Sequence, residues 1–113
     1  MGEYRVDPED FERLVTLLTG ARNKNEAKLL LRSILTNREM ADIVRRITIA
    51  KLIEWGMTYD QIMEAAGVAR PTIALVNNAL KANQGIFARI LHRVPLVLNP
   101  TERAILSRLK RGK

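Results

Sequence analysis

The sequence contains no cysteine and only one histidine, His92, among its 113 residues. Disulfide frameworks, zinc sites built on cysteine and cysteine-based catalysis are therefore excluded. Aromatic residues make up only 4% of the chain, and no apolar run approaches the roughly 20 residues that a membrane-spanning helix needs. The N-terminus reads Met-Gly-Glu-Tyr-Arg, which has no signal-peptide pattern. We therefore expect an intracellular protein with no membrane partner.

Positive charge is abundant and unevenly distributed. The chain carries 19 Lys and Arg against 12 Asp and Glu, a formal net charge of +7. Residues 1–64 contain ten basic and eleven acidic side chains, whereas residues 65–113 contain nine basic side chains and a single acid, Glu102. This distribution predicts a polyanionic partner such as nucleic acid, although many soluble proteins are basic without recognising any nucleotide sequence.

Apolar residues recur at helical spacing along the whole chain, and no stretch has the alternation of a β-hairpin, which predicts an all-α protein. Capping residues and prolines mark helix starts at Asp7-Pro8, Asn23 with Glu26, Thr36 with Glu39, Thr58 with Gln61, and Asn99-Pro100 with Glu102. We expect core helices within residues 8–56 and 84–94, a helix pair at 58–81, and an additional C-terminal helix at 100–111. All of them are expected to belong to one domain spanning residues 1–113.

The long helix that follows Thr36 has apolar residues on two stripes. One stripe contains Met40, Ile43, Val44 and Ile47, and the other contains Ile49, Leu52 and Ile53. A helix that is apolar on two sides packs on both of them. We therefore expect this helix to be central or to lie at a subunit interface.

Residues 58–80 have the pattern of a helix-turn-helix. The motif needs an apolar anchor on its first helix, a residue that tolerates positive φ at the turn, and apolar positions three and four apart on its second helix. The matching residues are Ile62, Ala66, Gly67, Val68, Ile73, Val76 and Leu80. Any helix-glycine-helix corner in a small bundle shows a similar pattern. The basic surplus and the absence of acids over residues 65–101 favour a DNA-binding role here, because acids would repel phosphates.

The outward face of the second helix is predicted to be small and polar, with no acid. It contains Arg70, Thr72, Ala74, Leu75, Asn77, Asn78 and Lys81. Arginine pairs with guanine, asparagine pairs with adenine, and Thr or Ala contacts the thymine methyl group. This face therefore suits entry into the major groove of DNA.

Three segments resemble the Trp repressor superfamily, in particular its small bacterial members of unknown ligand. They are Leu35-Thr36-Asn37-Arg38-Glu39-Met40, Arg46 to Leu52 with Gly56, and Gly67 to Leu80. The resemblance covers roughly residues 11–91. It implies an intertwined, all-helical homodimer whose two helix-turn-helix units reach successive major grooves of double-stranded DNA.

The resemblance also locates a corepressor pocket. Thr36 and Arg46 match a threonine and an arginine of the tryptophan-binding members, whereas Leu75 and Ala79 replace a second arginine and a serine. Burying a zwitterion without polar partners is costly, so we expect no tryptophan binding. Either Leu75 fills the pocket and the protein binds DNA without a ligand, or the pocket accepts a more apolar corepressor.

The resemblance implies DNA contacts for residues of the helix-turn-helix and of the long helix. Base edges are assigned to Arg70, Pro71, Thr72 and Ala74, and the backbone to Tyr59, Asn77, Asn78, Lys81 and Arg46. Asp60 departs from the family, which often has a polar or basic group at this edge of the footprint. Either Asp60 turns away as a cap partner in the first helical turn, or this edge of the footprint is weaker than in relatives.

The sequence has no nucleophile motif, no glycine-rich phosphate loop and no metal-ligand spacing. We therefore expect neither catalytic or metal-binding residues nor a cofactor. The expected function is a cytoplasmic, nucleoid-associated transcriptional repressor that binds a palindromic operator. Two alternatives stay open. One is a helix-turn-helix module for protein-protein interaction, such as an adaptor or an antitoxin-like partner. The other is a non-specific nucleic-acid binder, which the basic tail at residues 110–113 favours.

Overall fold

The computed structural model describes residues 5–111, and all regular structure in that range is helical. The helices are α1 (Pro8–Thr19), α2 (Lys24–Ile34), α3 (Asn37–Glu54), α4 (Tyr59–Ala66), α5 (Arg70–Lys81), α6 (Ile86–Arg93) and α7 (Pro100–Arg111). The all-α prediction is confirmed. Within the described range, every helix is too short or too polar to cross a membrane. Of the basic tail, Gly112 and Lys113 lie outside the described residues.

Most of the predicted caps form as expected. Asn23, Thr36, Thr58 and Asn99 each accept a hydrogen bond from the backbone N–H three residues later, at 2.9 to 3.2 Å. In α3, α4 and α7, the Glu or Gln three residues after the cap accepts in return from the backbone N–H of the capping residue. In α2, Glu26 accepts instead from the backbone N–H of Arg22. Asp7 is the exception, since its side chain makes no capping bond to α1. Local sequence therefore determines where α2, α3, α4 and α7 begin.

The helix expected over residues 84–94 begins later than predicted. A short 3-10 turn occupies Asn83–Gly85, and α6 spans only Ile86–Arg93. Asn83, Gln84 and Gly85 all have positive φ, at 52°, 61° and 73°, which is incompatible with a right-handed helix. The guanidinium of Arg89 donates a hydrogen bond to the Gln84 carbonyl and so holds this turn against α6.

The chain divides into two compact units, residues 1–40 and residues 41–113. In the first unit, neither α1 nor α2 contains a buried residue. Large apolar side chains remain open on both helices, with Phe11 58% and Leu29 55% exposed. Amphipathic helices of this length are only marginally stable without tertiary packing. Since α1 and α2 contain no buried residue, the contacts within this unit do not stabilise it alone.

The second unit contains the buried core. Ile49, Ala50 and Leu52 of α3 are completely buried, together with Ile62 of α4 and Ile73 of α5. The second apolar stripe predicted for α3 is therefore covered within this unit. The first stripe is covered only in part, because Ile47 packs against the core whereas Ile43 and Val44 remain about half exposed.

The C-terminal helix α7 belongs to this core. Ile105 is buried within the cluster, and Glu102 is buried at the start of the helix. The Asn99 amide donates to the hydroxyl of buried Thr48 at 2.5 Å, and that hydroxyl donates to the Val44 carbonyl at 3.1 Å. One polar chain and one apolar contact therefore connect α7 to α3 and to the shared core.

We expect Asn99→Ala to destabilise the protein. The substitution removes the N-cap of α7 and the hydrogen bond to Thr48, so the free energy of unfolding should fall by about 1 to 3 kcal/mol. Urea unfolding followed by circular dichroism measures this change. Ser107→Ala, at an exposed position on the same helix, is the control and should change stability little. Equal stability of the two variants would show that α7 does not depend on this connection.

Candidate nucleic-acid interface

Helix α4 begins at a complete capping box. The Thr58 hydroxyl accepts from the Gln61 N–H at 3.2 Å, and the Gln61 side chain accepts from the Thr58 N–H at 2.9 Å. Ile62, one position after this box, is completely buried and anchors α4 in the core. The first helix of the predicted motif is therefore fixed at its start and along one side.

The turn between α4 and α5 depends on Gly67. Its backbone adopts the left-handed conformation, with φ 67° and ψ 38°, and its N–H donates to the Met63 carbonyl at 2.9 Å. Residues other than glycine rarely adopt this conformation. The half-buried Val68 follows and packs against the core, so the chain leaves α4 abruptly and enters α5 two residues later.

Helix α5 buries one side and exposes the other. Ile73, Val76 and Leu80 are at most 5% exposed, as the spacing predicts. The N-cap position is Ala69, which offers no side-chain acceptor, and Pro71 lies in the first turn. The helix is therefore held by apolar packing and by the fixed φ of proline more than by its cap.

The predicted contact residues lie on the other side of α5 or beside it. Arg70, Pro71, Leu75, Asn78, Ala79 and Lys81 are exposed, whereas Tyr59, Thr72, Ala74 and Asn77 are half-buried. The exposed members of this set on α5 are polar or cationic except for Pro71, Leu75 and Ala79. Every predicted contact residue of α4 and α5 is therefore at least partly accessible on the helix-turn-helix.

Arg70 is engaged by two residues of α4. Its Nη2 donates to the Asp60 carboxylate at 2.5 Å, and its guanidinium carbon lies 5.7 Å from the centre of the Tyr59 ring. The sequence suggested that Asp60 is a cap partner or marks a weaker edge of the footprint. Neither alternative includes the observed contact, which joins the first turns of the two helices.

The surface that follows α4 carries no exposed acid. Glu102 is the sole acidic residue over 65–109, the part of the C-terminal half whose side chains are described, and it is only 4% exposed. It accepts from the Asn99 N–H at 2.9 Å within the cap of α7, where a helix N-terminus stabilises negative charge. The exposed charge of this surface is therefore entirely positive.

Comparison with protein families supports the helix-turn-helix interpretation. The family model described as Trp repressor protein matches residues 9–95, more than three-quarters of the chain. The chain belongs to the Trp repressor family. No significant match is found among curated proteins or among solved structures. Helix α7 lies beyond the matched residues, so the contacts it makes with α3 are an addition to the part that the family defines.

Within the Trp repressor family framework, the structure also places the four predicted pocket residues. Arg46 is exposed on α3 and borders a hollow of about 420 Å³ with Asp42, Arg45 and the turn residues Gly67, Val68 and Ala69. Thr36 caps α3 in the first unit. Leu75 is 49% exposed and is not among the residues that line this hollow. Ala79 lies exposed one turn further along α5.

Sequence reasoning missed two features of this surface. The pair between Asp60 and Arg70 joins residues ten positions apart, and only the crossing of α4 and α5 brings them together. The burial of Glu102 was also unforeseen, although its place in a capping box was recognised. A search for opposite charges in the first turns of both motif helices would have suggested the first contact.

We expect Gly67→Ala to lower stability because alanine resists positive φ. A Cβ at this position would meet no heavy atom within 4 Å, so the cost is conformational and amounts to about 1 kcal/mol in the free energy of unfolding. Urea unfolding measures it. Gly67→Asn is the control, because asparagine tolerates this conformation better, and it should lose less. Equal losses in both variants would contradict the conformational explanation.

Proposed function

We propose that this Trp repressor family protein is a transcriptional repressor that binds double-stranded DNA. Each subunit of a homodimer inserts α5 into the major groove of a palindromic operator. The protein is cytoplasmic and nucleoid-associated, without a cofactor or catalytic activity. The observation that carries the proposal is the exposed side of α5, which presents polar and cationic groups on a helix-turn-helix and lies within a stretch, residues 65–109, without an exposed acid.

The proposed contacts follow from the position of each residue along α5 and from the chemistry of its side chain. Arg70, at the start of α5, has the bidentate donors that recognise guanine, and Thr72 and Ala74 supply small groups for base edges. Asn77, Asn78 and Lys81 lie further along the helix and contact the phosphate backbone, as does Arg46 from α3. Tyr59, at the start of α4, contacts the phosphate backbone, and Pro71 lies beside Arg70 near the base edges.

A second copy of the chain is the proposed cover for the first unit. Helices α1 and α2 expose Leu14, Leu18 and Leu31, each by about 40%, and bury nothing. The Ile43 and Val44 stripe of α3 is also open. Self-association buries these faces and arranges two α5 helices for two half-sites of one operator.

We expect the protein to sediment as a dimer, at twice the chain mass of 12.8 kDa. Leu18→Glu places a charge on the apolar side of α1 and should dissociate or unfold the dimer. Thr16→Glu adds the same charge to the opposite side of the helix and should leave it dimeric. Analytical ultracentrifugation with circular dichroism distinguishes these outcomes. A folded, monomeric wild-type protein at micromolar concentration would contradict the proposed dimer.

We propose that DNA binding needs no tryptophan. Leu75 and Ala79 offer no charge or hydrogen bond at the two positions where the tryptophan-binding members hold the ligand, and Arg46 alone cannot satisfy a zwitterion. Leu75 is half exposed in the single chain and is therefore available to fill the pocket when two chains associate. A corepressor, if one binds, is more apolar than an amino acid.

We expect the purified protein to enrich a palindrome from a random duplex pool at about physiological salt, with no ligand added. The affinity for that site should fall with salt, each phosphate contact contributing about 0.9 to the slope of log K against log salt. Fluorescence anisotropy of the selected duplex measures both quantities. Lys81→Ala should weaken binding to all sequences alike, whereas Arg70→Ala should reduce discrimination at one base pair by about 1 to 3 kcal/mol. An unchanged site preference for Arg70→Ala would remove its role as a reader.

One observation favours a second function, a helix-turn-helix module for protein-protein interaction. Leu75 and Ala79 form an exposed apolar pair on the same side of α5 as the proposed readers. Docking through these groups should depend little on salt, unlike DNA binding. Selection that enriches no motif, with weak salt-independent association, would favour this module. Strongly salt-dependent binding without a motif would instead indicate a non-specific nucleic-acid binder.

A further inference from the structure

The contact between Asp60 and Arg70 connects the two helices of the motif at the place where DNA would enter. Asp60 lies in the first turn of α4, and Arg70 is the first residue of α5. The Nη2 to Oδ1 distance is 2.5 Å, and the Tyr59 ring lies 5.7 Å from the guanidinium carbon. One carboxylate and one aromatic ring therefore restrict a side chain that would otherwise move freely.

The contact between Asp60 and Arg70 is too exposed to contribute much to the stability of the fold. The side chain of Arg70 is 55% exposed and that of Asp60 is 84% exposed. Ion pairs with this degree of exposure contribute little to folding, because water and salt screen them and because holding two side chains costs entropy. The substantial consequence of the pair is the direction in which the guanidinium points.

The pair leaves hydrogen-bonding capacity on both partners. A guanidinium carries five N–H donors, and the observed bond to Asp60 is made by Nη2 alone. The remaining donors suit the O6 and N7 acceptors of guanine. The second carboxylate oxygen of Asp60 can accept a hydrogen bond from the exocyclic amine of a cytosine.

We propose that Asp60 is a positioning residue that sets the specificity of DNA recognition by orienting Arg70. This inference rests on the proposed function. Asp60 acts in two ways: it directs the guanidinium toward one base pair, and its negative charge repels phosphates on every sequence. Loss of Asp60 therefore relaxes specificity while it strengthens non-specific binding, because the repulsion is a device against the wrong partners.

The test uses the full-length protein and the duplex selected by the wild type. Arg70→Ala first identifies the base pair that Arg70 reads, as the pair whose preference is lost. Asp60→Asn should reduce the preference at that same pair about fivefold and should raise the affinity for a scrambled duplex. Asp60→Glu keeps the charge and should restore part of the preference.

Glu64→Gln is the matched control. Glu64 lies one turn beyond Asp60 on α4, is exposed, and loses the same charge on substitution. It should leave the base preference unchanged. Thermal unfolding of all variants separates orientation from stability, since we expect Asp60→Asn to melt close to the wild type.

The inference is overturned if Asp60→Asn retains the wild-type base preference, or if it changes that preference equally when Arg70 is already alanine. A large loss of thermal stability in Asp60→Asn would also overturn it, because the contact would then be structural. If the wild type selects no site, the proposed function fails and the inference fails with it. If the wild type and Arg70→Ala differ while Asp60→Asn does not, the inference alone fails.

Discussion

The second unit depends on one buried cluster centred on the C-terminal half of α3. Ile49, Ala50 and Leu52 are fully excluded from solvent and share a cluster with side chains from α4, α5, α6 and α7. Because apolar burial is the dominant favourable term in folding, this half-helix fixes the elements of the helix-turn-helix. The capping box at the start of α4 and the left-handed Gly67 then set the path of the chain between two helices that the core already anchors.

The remainder of α3 and the first unit show the opposite balance. Many of their large apolar side chains are exposed, and α1 and α2 contain no buried residue. An exposed apolar area of this kind marks an interaction surface. The same helix, α3, therefore completes a core on one stripe, while Ile43 and Val44 of the other stripe remain about half exposed and belong to the proposed interface. Under the proposed dimer, the stability of the first unit is coupled to association.

The caps, the Gly67 turn and the buried side of α5 were predictable from sequence, whereas the turn at Asn83–Gly85 and the contact between α4 and α5 were not. The four side-chain caps and the Gly67 turn depend on residues within four positions of one another, so a pattern suffices to find them. The turn at Asn83–Gly85 was missed because two of its three positive-φ residues are not glycine and carry no pattern that signals it. The contact between Asp60 and Arg70 was missed because it depends on the angle at which two helices cross.

In the proposed function, the charges on the two helices of the motif serve selectivity as much as attraction. A surface with positive charge alone would hold any duplex, since phosphates are common to all sequences. Asp60 is exposed and paired with Arg70, and we propose that its charge lowers that general attraction while the pair orients the guanidinium. A fixed guanidinium loses less entropy when it meets the correct base, and it is poorly placed for the wrong one. Under this proposal, specificity on this surface arises from an acidic residue that attraction alone would disfavour.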